Sequence, residues 1–113
     1  MMKKSNPDFI KKALAPYRKE IDRIDDALLK LLGERFDIVR KVAKVKIKHD
    51  IPAFLGDRVT QVRERAATNG QKYGIDPEFM RTLYTLIIYQ SCATEDMLKG
   101  EAAARPAKKA KKK

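Results

Sequence analysis

The stretch from Pro16 to about Lys48 constrains the fold more than any other. In it Ile21, Ile24, Leu28, Leu31, Arg35, Ile38, Val42 and Val45 follow one another in unbroken alternating steps of three and four. That spacing is a heptad seam along one face of a helix, and its length suggests coiled-coil-like packing. Pro16 suits the first turn of such a helix, and "HDIPAFLGD" ends it, because Ile51 before Pro52 is biased away from helical angles. A helix this long cannot bury its seam on short partners of its own chain, so pairing with a second copy is the expected remedy.

Two further helices follow. Asp57 opens "RVTQVRERAAT", which Asn69-Gly70 closes. The third runs through "GIDPEFMRTLYTLIIYQSCATEDMLKG", with Asp76 as N-cap, Pro77 at the first helical position, Glu78 in the first turn and Gly100 as the stop. No segment alternates as a strand would, so the class is all-α. The expected organisation is a basic N-terminal segment over 1–15, a helical domain over 16–99 and a disordered Lys/Ala-rich tail over 100–113.

A chain of 113 residues has room for one modest core, and its 43% hydrophobic and 36% charged residues suit an ordered, water-exposed protein. No apolar run reaches the roughly 20 residues of a membrane span, and "MMKKSNPDFIKK" leads into no apolar signal core, which predicts the cytoplasm. The net charge of +11 sits at the ends. Residues 1–19 and 100–113 each carry six Lys or Arg against one acid, and the body between them is nearly neutral. The tail is expected to be solvated, with at most weak, nonspecific contact to polyanions. A basic nucleic-acid-binding protein is the non-enzymatic alternative, but the body lacks the interleaved aromatic and basic stripe such a role uses. Cys92 and His49 each stand alone, so no metal site is expected; Cys92 reads as a packing residue and His49 as a helix-end residue.

The chemistry concentrates in polar groups on apolar faces. Arg35 occupies a seam position, where a guanidinium is costly without an anion. Lys46, eleven residues later, returns to within about 20° of the same direction, roughly 16 Å along the axis. Arg18 lies about 25 Å from Arg35 on the other side from Lys46, so it joins their site only if a second chain brings it. On the third helix Ile87, Ser91 and Glu95 are spaced by four, placing a hydroxyl and a carboxyl on a face that begins apolar. The competing surface readings pair Glu95 with Lys99, and Arg35 with a nearby acid. Together these groups describe a cluster of cations and hydrogen-bonding groups inside a helical bundle, able to grip one small anion; no catalytic triad, Gly-rich phosphate loop or metal motif competes with it, and no cofactor is expected.

These residues resemble the all-helical, AroQ-type chorismate mutases, which include related isochorismate-pyruvate lyases. The resemblance covers about Pro16 to Leu98. It rests on "YRKEIDRIDDALLKLLGERFDIVRKVAKVK", the "IP" after helix one, "GDRV", and "IDPEFMRTLYTLIIYQSCATED". It implies an intertwined homodimer of three-helix protomers with shared sites. By position it implies that Arg18 from one chain, with Arg35 and Arg58 from the other, binds the substrate's carboxylates. Ser91 would contact a carboxylate, and Lys46 and Glu95 would face the ether oxygen. The implied activity is the rearrangement of chorismate to prephenate in aromatic amino acid biosynthesis.

Three positions depart from the best-known pattern. Glu95 stands where Gln is common, and a carboxyl donates to an ether oxygen only when protonated. Val59 and Leu55 stand where two carboxylates help hold the ring hydroxyl, so Val59 offers the C4 substituent no hydrogen bond. Losing such a partner relaxes discrimination by about a kcal/mol or more. This leaves isochorismate-pyruvate lyase and 4-amino-4-deoxychorismate mutase as alternatives on the same scaffold.

Overall fold

The computed structural model describes residues 6–105. Three helices make up the described chain: α1 (Pro7–His49), α2 (Gly56–Gln71) and α3 (Pro77–Ala104). The all-α class and the long first helix expected from the seam are therefore present. Residues 1–5 and 106–113, which carry much of the expected basic segment and tail, lie outside the described residues.

Helix α1 begins nine residues before Pro16. The Asn6 side chain accepts hydrogen bonds from the backbone N–H groups of Asp8 and Phe9, at 2.8 and 3.3 Å, while Pro7 takes the first helical position. The helix continues through Pro16, which lies inside it rather than in its first turn. Its other end is a Schellman motif. The Ile51 N–H donates to the Lys46 carbonyl at 2.8 Å and the Asp50 N–H to the Ile47 carbonyl at 3.4 Å, with Asp50 in the left-handed region at φ 55°. Asp and Asn accept that conformation better than other non-glycine residues.

Helix α2 runs past the expected Asn69-Gly70 stop. Its chain turns at Gly74 (φ 76°), with the Ile75 N–H donating to the Gly70 carbonyl at 3.0 Å. Gly70 instead lets α3 approach, because a Cβ there would lie 2.7 Å from Met80 Cγ. The Asp76 carboxylate caps α3 by accepting from the Phe79 N–H at 2.9 Å, with Pro77 at the first helical position, as the sequence predicts. α3 continues through Gly100 to Ala104 and ends at Arg105, whose extended backbone is what a residue before proline prefers.

The chain divides into two units, 1–35 and 36–113. The first, as described, consists of the leading stretch of α1, with its apolar residues largely exposed. The second holds the last turns of α1, with α2 and α3. Its small core contains Val39 and Ala43 of α1, Ala53 of the connection, Ala66 and Ala67 of α2, and Ile88 of α3. Arg81 of α3 binds the Glu64 carboxylate of α2 through Nε and Nη2, with contacts of 3.0 to 3.1 Å. That bonding holds the Glu64 carboxyl below its ordinary range.

Candidate active site

The second unit buries two polar side chains in its core, Ser91 and Glu95 of α3. They lie one helical turn apart on the face that also carries Ile88, as the four-residue spacing predicts. The Ser91 hydroxyl donates to the Ile87 carbonyl at 2.9 Å, a back-bond that satisfies its proton within the helix.

Glu95 does not pair with Lys99 on the surface. It meets Lys46 of α1, with Nζ 2.7 Å from Oε1 and the two side chains only 16% and 9% exposed. The directed hydrogen bond of that ammonium goes elsewhere, to the Ala53 carbonyl at 2.8 Å. Glu95 Oε1, although close to the cation, is buried without a partner in hydrogen-bonding geometry. At that separation opposite charge holds the pair together.

The chain prepares this position locally. Lys46 is the residue whose carbonyl closes the Schellman motif, and Pro52 then directs the connection so that Ala53 is buried with its carbonyl on the ammonium. Cys92, half-buried on α3, has Sγ 3.8 Å from the same carbonyl. Burial raises the thiol pKa above its ordinary value, and the Glu95 carboxylate adds to that effect. Ala53 is absent from the sequence-derived set, because a backbone carbonyl carries no signal in residue type. Cys92 could have been found, since it is one residue from Ser91 and three from Glu95.

Of the other expected residues, Arg58, Leu55 and Val59 belong to the second unit. The Arg58 Nη1 donates to Gln61 Oε1 at 2.7 Å on the exposed side of α2. Leu55 is the N-cap residue of α2 and supplies no side-chain cap; it is exposed, and Val59 is half-buried. Arg18 and Arg35 belong to the first unit, where Arg18 is exposed and Arg35 half-buried. Among the described residues no group of three or more His, Cys, Asp or Glu is placed to hold a metal ion.

Chemically, the second unit offers a part-buried ammonium of α1 against a buried carboxyl of α3, which lies one helical turn from a buried hydroxyl. Such a site can bind an anion, orient it and stabilise charge on an oxygen.

Comparison with known proteins points the same way. Residues 17–96 match the family model described as chorismate mutase type II. A 4-amino-4-deoxychorismate mutase of Streptomyces pristinaespiralis is 39% identical over 79 residues, which cover 70% of this chain and 61% of that protein. A protein of the same name from Streptomyces venezuelae is 35% identical over 81 residues, covering 72% of this chain and 79% of the relative. The bifunctional chorismate mutase/prephenate dehydratase of Buchnera aphidicola is 34% identical over 86 residues, 76% of this chain but 22% of that protein.

Proposed function

The chain belongs to the type II chorismate mutase family, and from that premise we propose that it rearranges chorismate to prephenate at a site centred on Lys46 and Glu95. The observation that carries this reading is the Lys46–Glu95 pair, with Nζ 2.7 Å from Oε1 and both side chains largely shielded from solvent.

The rearrangement is pericyclic. Within one molecule an ether C–O bond breaks as a C–C bond forms, and no proton is gained or lost. Catalysis then consists of holding a flexible dianion in its reactive shape and stabilising charge that grows on the ether oxygen. Lys46, fixed by the Ala53 carbonyl, has further N–H groups for that oxygen. Glu95, when protonated, donates to the same oxygen. Arg18, Arg35, Arg58 and Ser91 bind the substrate's carboxylates, with Arg18 supplied by a second copy of the chain. The exposed seam of α1 supports this shared arrangement, because Ile21, Ile24, Leu28 and Leu31 are about half or more exposed among the described residues. No described helix is long and apolar enough to cross a membrane, and we assign the enzyme to the cytoplasm.

A second reading, action on 4-amino-4-deoxychorismate, draws on two observations. Two Streptomyces relatives bear that name, and Val59 leaves the C4 substituent without a polar partner if it lines that part of the ring. A product assay with purified protein and chorismate, isochorismate or 4-amino-4-deoxychorismate separates the readings. Prephenate formed from chorismate faster than any other conversion supports the first. Turnover confined to the amino substrate supports the second, and salicylate with pyruvate from isochorismate would contradict both.

A further inference from the structure

Lysine carries its charge on a flexible stem, so an ammonium stabilises a reacting oxygen well only where something else fixes its direction. In this chain the fixing comes from the connection after α1. The Lys46 carbonyl accepts from the Ile51 N–H at 2.8 Å, Asp50 turns the backbone at φ 55°, and the Ala53 carbonyl then comes back to Lys46 Nζ at 2.8 Å. The segment from Lys46 to Ala53 thus closes on the same residue twice, once on its backbone and once on its ammonium. One N–H of the ammonium is committed to the carbonyl, which leaves the others a restricted set of directions.

That carbonyl also has a neighbour on α3. Cys92 Sγ lies 3.8 Å from it, a separation at which a thiol is a weak donor, and a carbonyl oxygen has two lone pairs to share between ammonium and thiol. Burial first and the Glu95 carboxylate second raise the thiol pKa, against the opposing effect of Lys46, so the S–H proton stays on at neutral pH. Ala53 is buried and Cys92 half-buried, so water competes little for either group. Through this one oxygen the connection bridges α1 and α3 beside the pair of Lys46 and Glu95.

We propose that Ala53 and Cys92 are positioning residues for Lys46: the Ala53 carbonyl, steadied by the Cys92 thiol, sets where the ammonium points during the reaction. That role rests on the one given to Lys46 above and deepens it with two groups that act through the lysine. It asks for a donor at residue 92 rather than for bulk. A displacement of about 1 Å at a positioned group can cost a factor of up to about a hundred in rate. Weakening either contact should therefore lower kcat more than it raises KM.

The test uses the full chain and steady-state kinetics on chorismate, or on 4-amino-4-deoxychorismate where only that substrate turns over. Replacing Phe54 by its α-hydroxy acid, incorporated by nonsense suppression, turns the Ala53–Phe54 amide into an ester. The ester weakens the Ala53 carbonyl as an acceptor and changes no side chain, and the Phe54 N–H that it removes has no hydrogen bond among the described residues. In this variant kcat should fall at least about fivefold, with KM within about twofold of parent. At position 92 the order of the variants decides. Packing alone ranks Cys92→Val above Cys92→Ser, since valine fills the space of the thiol while a hydroxyl is polar in a part-buried place. A positioning donor ranks them the other way: Cys92→Ser should keep most of the parental kcat, and Cys92→Val and Cys92→Ala should each lose about threefold or more. A parental kcat in the ester overturns the role of Ala53, and Cys92→Val at or above Cys92→Ser overturns that of Cys92. With Lys46→Ala impaired, either result leaves the lysine's own role standing. Full turnover in Lys46→Ala would instead remove the reading on which both positioning roles rest.

Discussion

The two units of this chain treat exposure in opposite ways. Along the leading stretch of α1, large apolar side chains such as Leu28 and Leu31 face solvent at about 60% exposure. Around Lys46, a charged pair and a hydroxyl sit inside the core among alanines and Ile88. Either choice alone costs free energy. Exposed apolar surface forgoes burial worth about 25 cal/mol per Å², and a buried ion pair loses hydration that its own attraction does not always repay. Both costs make sense in a chain that completes itself on binding. On the function proposed above, a second copy covers the apolar stretch and a substrate meets the shielded charges.

The largest expected effect removes the charge from the buried side. Lys46→Ala should lower turnover by a factor of about a hundred or more, as loss of one preorganised charged donor does elsewhere, and steady-state kinetics measures it. Full turnover in that variant would leave the buried pair a structural feature only. On the apolar side, if two copies pair along this seam, Leu28→Glu should weaken dimerisation at least about tenfold, since it puts a carboxylate in the middle of each seam. Light scattering across a dilution series reads this directly, and an unchanged dimer would place the interface elsewhere.

Smaller effects sharpen the chemistry of the buried pair. If Glu95 acts on the ether oxygen, Glu95→Gln, whose amide can donate there, should retain more turnover than Glu95→Ala. Equal turnover in the two variants would remove Glu95 from that role. Cys92 reports on the same place. Its pKa is raised first by burial and then by the Glu95 carboxylate, so less thiolate is present near neutral pH. Alkylation by iodoacetamide, timed by mass spectrometry, should be slower than for an exposed cysteine and modestly faster in Glu95→Gln. A rate matching an exposed thiol in the parent protein would contradict that environment.

Much of this fold is legible in the sequence because its signals are local. Asp76-Pro77-Glu78 locates the start of α3, and the seam locates α1. Asn6-Pro7-Asp8 carries the same cap, proline and acid as the start of α3, but Pro16 competes with it as a helix-opening signal. The structure keeps the earlier start because a proline within a helix forfeits one hydrogen bond and need not end it. Gly100 resembles a stop, yet a glycine ends a helix only where the chain turns into the left-handed region, and α3 does not turn there. The site was less legible. The four-residue spacing puts Ser91 and Glu95 on one face, but whether Glu95 meets Lys99 or Lys46 depends on packing between helices that no local pattern encodes. The Ala53 carbonyl is harder still, since its role comes from the turn after α1.

The most direct test of the shared site mixes two inactive proteins. Arg18→Ala and Lys46→Ala are each expected to be severely impaired, and if one chain supplies Arg18 to the site that holds the other's Lys46, their mixed dimer contains one intact site of two. Subunit exchange at equal concentrations should then restore about a quarter of the parental activity, because half of the dimers are mixed and each has one working site. Activity that stays at the level of the separate variants after complete exchange would contradict the account.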